Sequence, residues 1–120
     1  MFSPALSLLH DGEYVEEVLV VTLGGDKWCY PCRNLEVFTD DLLGFVFKVF
    51  SRGLEEGSGY TVIAHRGGNV IAIELTGERF LLLYSRKGDA EALAREYADV
   101  INRIKNMGLS YALPTIGEEK

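Results

Sequence analysis

The first strong apolar run in the chain, Val18-Leu19-Val20-Val21, is too short for a helix and rich in β-branched residues. It predicts a buried strand over Glu17–Leu23. Gly24-Gly25-Asp26 follows as a hairpin turn, and a second strand is expected over Lys27–Cys32. Pro31 has no amide hydrogen to give a ladder, which places that strand at a sheet edge. Three further strands, Tyr60–His65, Val70–Leu75 and Arg79–Tyr84, are joined by the turns Gly67-Gly68-Asn69 and Thr76-Gly77-Glu78 into an antiparallel meander. The first of them, Tyr60–His65, is expected at the other sheet edge.

Helices are predicted at three places. Ser3-Pro4 opens a short one over Pro4–His10, ended by Asp11-Gly12. Thr39-Asp40-Asp41 caps a middle helix running to about Arg52, with Gly53 and Gly57 beyond it. Asp89 caps the last, Ala90–Met107, which Gly108 closes; Leu93, Tyr97, Val100, Ile101 and Ile104 form its apolar stripe. The order α-β-β-α-β-β-β-α predicts an α+β fold. A single five-stranded antiparallel sheet would carry the middle helix on one face and the terminal helices on the other.

The middle helix is more apolar than one sheet face requires. Leu42, Phe45, Val46 and Val49 form one stripe, and Leu43, Phe47, Phe50 and Leu54 form a second. Together they span roughly 200° of the helix, about twice the width a surface helix buries. Fully burying one Leu or Phe contributes about 1.5–3 kcal/mol, so a bare second stripe would be a costly, adhesive patch. The expectation is that the first stripe covers the sheet. The second would meet its counterpart in another copy of the chain around a two-fold axis. Cover by the N-terminal helix or by Leu109–Pro114 is the alternative within one chain. The strand Tyr60–His65 supports pairing, because it carries no proline and no inward charge to block its edge.

Composition narrows the function classes. Hydrophobic residues make up 48% and charged residues 25%, so the chain is expected to fold as one domain over residues 1–120, with 113–120 as a flexible tail. Twelve Lys and Arg against eighteen Asp and Glu give a net charge of −6, which argues against nucleic acid as the main partner. No apolar run reaches membrane-spanning length and no secretory signal is evident, so a cytoplasmic protein without membrane insertion is expected.

One motif carries candidate chemistry. Trp28-Cys29-Tyr30-Pro31-Cys32 is similar to a thioredoxin active-site motif, in which Cys29 would be the nucleophile and Cys32 the resolving thiol. Its surroundings argue against redox catalysis, since no long helix follows directly; the next begins only at Thr39. A structural disulfide or two inert thiols is the favoured reading. Zinc would need four ligands, and Cys29 and Cys32 supply two; His10 and His65 would have to be brought beside them. No cofactor, no metal and no catalytic residue is therefore expected. Trp28, Tyr30 and Tyr84 read as sheet packing rather than as a pocket.

Taken together, Val18-Leu19-Val20-Val21 with Gly25-Asp26, the apolar helix Leu42–Phe50, the meander and the final amphipathic helix resemble the roadblock / dynein light chain domain family of the profilin-like fold group, over about residues 16–107. Two departures stand out: Glu16-Glu17 replaces a commonly small residue before the first strand, and the N-terminal helix is short. They leave room for a longin-like or other profilin-like relative. The resemblance implies a homodimer with a sheet continuous between subunits and no enzymatic activity. It implies a platform that binds or regulates a Ras-like small GTPase or scaffolds a signalling complex. Carried over, the dimer contacts would be Leu43, Phe47, Phe50 and Leu54 with Tyr60, Val62 and Ala64. The partner surface would be Lys48, Ser51 and Arg52. The runner-up reading is a thiol–disulfide oxidoreductase using Cys29 and Cys32; a third is a profilin-like small-molecule sensor.

Overall fold

A computed structural model describes residues 1–10, 14–53, 59–75, 79–86 and 89–106. Five strands form one antiparallel sheet: β1 (Glu17–Thr22), β2 (Lys27–Tyr30), β3 (Tyr60–His65), β4 (Gly68–Glu74) and β5 (Arg79–Ser85), in the order β2-β1-β5-β4-β3. β1 therefore sits between β2 and β5, and the expected edges, β2 and β3, are the observed ones. The register pairs Leu19 with Cys29 on one side and with Leu82 on the other. All six residues of β1 are buried, as a strand covered on both faces must be.

Side-chain alternation divides the core in two. Val18, Val20, Trp28, Tyr60, Ile71, Ile73, Leu81 and Leu83 point to one face. There they meet Leu6 and Leu9 of a short N-terminal helix (Pro4–Leu9) and Ala94 and Ala98 of α2 (Ala90–Asn106). Leu19, Val21, Cys29, Val70, Ala72, Phe80, Leu82 and Tyr84 point to the other face and meet α1 (Asp40–Ser51) and the segment Val37–Phe38. The expected layering is thus observed, with one difference in kind: the N-terminal helix is a 3-10 helix ending at Leu9. The Tyr97 hydroxyl donates to the Leu9 carbonyl at 3.0 Å and joins the two elements of that layer.

Local signals act where expected. The Thr39 hydroxyl accepts from the Leu42 amide at 3.2 Å and starts α1. Asp89 accepts from the amides of Glu91 and Ala92 and starts α2. Gly67 takes a positive φ of 77° in the β3–β4 turn. Gly68 is required for a different reason, since a Cβ there would lie 2.6 Å from the Ser85 carbonyl oxygen and 3.1 Å from the Tyr84 ring.

Two expectations need correction. β2 ends at Tyr30 rather than Cys32, because Pro31 has no amide hydrogen for the ladder and Cys32, with φ 67°, turns the chain out of it. The roll of α1 also differs. Leu42, Leu43, Val46 and Phe50 all pack toward the sheet, whereas Phe45, expected on the sheet side, is 52% exposed. The sheet face together with Val37 and Phe38 is wide enough to take most of both stripes. For α2, Leu93 and Tyr97 are partly buried as expected, while Ala94 and Ala98 make the closest approach to the core. The side chains of Val100, Ile101 and Ile104, together with Leu54 and the tail 113–120, lie outside the described residues.

Candidate functional site

Two regions hold the residues that the sequence singled out, one at each edge of the sheet. At the β2 edge, Cys29 and Cys32 are joined in a disulfide. Cys29 lies on the α1 face of the sheet and is buried; Cys32 is half-buried. The redox roles suggested by the motif thus meet an inverted exposure, with the expected nucleophile being the more enclosed sulfur. Beside them lies Glu17, fully buried. Its Oε2 accepts from the Cys32 amide at 2.8 Å, and its Oε1 accepts from the amides of Arg33 and Asn34, each at 2.8 Å. Three consecutive backbone donors thus compensate a buried anion and fix the loop that follows the second cysteine. Glu17, Cys29 and Cys32 bring a carboxylate oxygen and two sulfurs within 4.8 Å of one another.

The same edge is closed from outside. The Cys29 amide donates to the Met1 carbonyl at 2.8 Å and the Ser3 amide donates to the Cys29 carbonyl at 2.9 Å, so Phe2 forms a parallel bridge with Cys29. The Phe2 and His10 rings pack against Tyr30. Nearby in sequence, Arg86 donates to the Tyr84 hydroxyl at 3.2 Å and lies 3.6 Å from Glu16. The hydroxyl first, and then the carboxylate, hold its pKa above the ordinary arginine value. Trp28 and Tyr84 pack in the core, the latter donating its hydroxyl to the Arg66 carbonyl.

At the opposite edge, β3 pairs with β4 alone among the described residues. Tyr60 is buried and Val62 partly so, both toward the α2 face; Ala64 is exposed. Ile63 lies partly buried on the α1 face, and His65 Nε2 is 2.8 Å from the Val37 carbonyl. Between α1 and β3 runs an open groove of about 440 Å³, with Leu42, Phe45, Ile63 and His65 among its walls. Of the anticipated dimer contacts on α1, Leu43 and Phe50 belong to the chain's own core. Phe47 is half-buried with its ring 5.2 Å from that of Phe80. Lys48, Ser51 and Arg52 are exposed as expected; the Ser51 hydroxyl donates to the Lys48 carbonyl. His10 and His65 are not brought to the cysteines: the only group among the described residues able to hold a metal is Glu17, Cys29 and Cys32.

This arrangement is similar to the crystal structure of a Roadblock/LC7 domain from Streptomyces avermitilis. The TM-score is 0.58 at 15% identity, covering 84% of this chain and 91% of that one. The chain has the Roadblock/LC7 fold. Its sequence matches no family model and no curated protein. No described helix is long and apolar enough to cross a membrane. Within the Roadblock/LC7 fold, the features that sequence reasoning missed are Glu17 as a loop anchor, Phe45 as the outward aromatic, and the N-terminal segment on β2. A signal existed for the first: an acid standing in phase with Leu19 and Val21 on a strand buried on both faces demands a partner.

Proposed function

We propose that this chain is a non-enzymatic protein-binding module that pairs with a second copy of itself and docks a further protein, a Ras-like small GTPase being the partner class. The observation that carries the pairing is the outer edge of β3, unpaired among the described residues and lying beside Phe45, while the other edge is closed. Backbone pairing of two β3 strands would extend the sheet between subunits and cover the groove of Phe45 and Ile63. In this reading the contact set shifts from the one expected. Phe45 takes the place of Leu43 and Phe50, Phe47 lies on the other flank of α1 beside Leu23 and Phe80, and Tyr60, Val62 and Ala64 take part as strand positions. Leu54 belongs to the proposed contact only by sequence. Lys48, Ser51 and Arg52 form the polar surface offered to the GTPase. The Roadblock/LC7 fold supports a binding role, and the partner class rests on the family resemblance.

Phe45→Glu tests the pairing, because the side chain is exposed and its replacement should leave the fold intact. Light scattering coupled to gel filtration should give two chains for the parent protein and one for the variant. A parent that stays a single chain at high concentration, or a variant that stays paired, rules the arrangement out. For the partner, calorimetry with Ras-like GTPases from the source genome should show binding that the Lys48→Ala/Arg52→Ala double variant weakens. Binding that is absent throughout, or equal in the variant, removes the GTPase assignment.

A second reading is thiol–disulfide exchange, favoured by the formed disulfide with one half-buried cysteine. The geometry makes Cys32, not Cys29, the sulfur that an external thiolate would attack. Catalysed reduction of insulin that is lost in Cys32→Ser would support it, and no turnover above the uncatalysed rate would dismiss it.

A further inference from the structure

The cluster at the β2 edge contains more than a staple. We propose that, when its cysteines are reduced, Glu17, Cys29 and Cys32 form a binding site for one soft divalent cation of the zinc or cadmium type, with water in the fourth position. The disulfide and the metal site are then mutually exclusive states of the same three residues.

The donor set is the first reason. Two thiolates and one carboxylate suit a tetrahedral cation that accepts sulfur and oxygen together. With metal–sulfur bonds of about 2.3 Å, tetrahedral ligands stand roughly 3.8 Å apart. The three donor atoms already lie within 4.8 Å of one another, and opening the disulfide brings the sulfurs toward that separation rather than away from it. A carboxylate offers about four lone-pair directions. Glu17 spends three on the amides of Cys32, Arg33 and Asn34, two at Oε1 and one at Oε2, so Oε2 keeps one free.

Charge gives the second reason. Glu17 is fully buried and Cys29 nearly so, and two thiolates beside that carboxylate would gather three negative charges where little water reaches. Such a cluster must bind either protons or a cation. Preorganisation gives the third. The three amide bonds to Glu17 hold the loop independently of the sulfur–sulfur bond, so reduction should leave the donors near their places and little ordering remains to be done on binding. Half-buried Cys32 provides the way in.

The chemistry balances in two steps. A dithiol gives two electrons and its two protons to the disulfide and leaves as its own disulfide. A phosphine gives two electrons and takes the oxygen of one water, whose two protons pass to the sulfurs, and leaves as phosphine oxide. In both cases the sulfur–sulfur bond breaks to two thiols. The cation then replaces both protons, which pass to solvent. The site lies at the edge opposite β3, so its failure and the failure of the binding-module reading are separable.

The test uses the full chain. Protein reduced with a phosphine and freed of it under nitrogen is titrated with cadmium chloride, following the ultraviolet thiolate-to-cadmium charge-transfer band. The band should saturate at one cation per chain, release two protons, and be absent from the disulfide form. Cys32→Ser should weaken binding by at least the roughly 10–100-fold that loss of a mere supporting group costs at a metal site. Glu17→Gln should weaken it as well. Where that variant does not fold, the carboxylate stretch of the parent protein in difference infrared spectra serves instead, and it should shift on cadmium addition. No band in the reduced protein, equal affinity in Cys32→Ser, or a folded Glu17→Gln that binds as tightly as the parent would each overturn the proposal, as would an unmoved carboxylate stretch.

Discussion

The two edges of the sheet are treated in opposite ways. At β2 the chain lays Met1–Ser3 along the outer side, turns at a cis proline, closes a disulfide and commits a buried carboxylate to three amides. At β3 the described residues add nothing to the outer side, and the exposed ring of Phe45 stands on the neighbouring helix. An unpaired strand edge is a template for another strand, and natural proteins commonly blunt it. Among the described residues the chain blunts one edge with several devices and adds none at the other, and the proposed pairing rests on that difference.

That contrast can be broken at its strongest point first. Glu17→Ala would leave three partly buried amides without their acceptor. Unpaired buried donors cost about 1–3 kcal/mol each, so we expect a loss on the order of 4 kcal/mol, read as a lowered urea midpoint, or failure to fold. A loss below about 1 kcal/mol would mean that the loop is held by something other than Glu17. Next comes the hairpin that carries the plain edge. Gly68→Ala drives a methyl group into the Ser85 carbonyl, and should cost about 3 kcal/mol, the upper part of the overpacking range. A variant with parental thermal stability would show that β3 and β4 can yield there. The smallest effect belongs to the disulfide. Cross-linking so short a loop restrains the unfolded chain by about 2 kcal/mol at most. Reduction should lower the midpoint by that much or less while the amide protons of Cys32, Arg33 and Asn34 stay protected from exchange. Loss of that protection would assign the loop to the disulfide instead of Glu17.

Much of the fold was legible because its signals are local. A short β-branched apolar run and closely spaced turns marked the strands, glycine and asparagine marked the turns, and Thr39 and Asp89 marked helix starts through their own side-chain oxygens. Pro31 alone placed β2 at an edge. The roll of α1 was not legible, since apolar residues over more than half of a helix do not say which line of them faces inward. The shape of the sheet and the presence of Val37 and Phe38 decide that Phe45 faces out. That Glu17 needs a partner was legible, but which partner was not, for a related reason. Its partners lie 15–17 residues away and are backbone amides, which have no signature in side-chain identity. The acid that opens the first strand and the cysteine pair look like two separate oddities in the sequence, and they are one unit in the structure.

The bridge between Phe2 and Cys29 has a consequence for stoichiometry. A sheet with both borders free can add strands without end, as fibres do, whereas a sheet sealed on one side stops growing once its single vacancy is filled. By sealing β2 with Met1–Ser3, the chain would limit the pairing proposed at β3 to a closed pair.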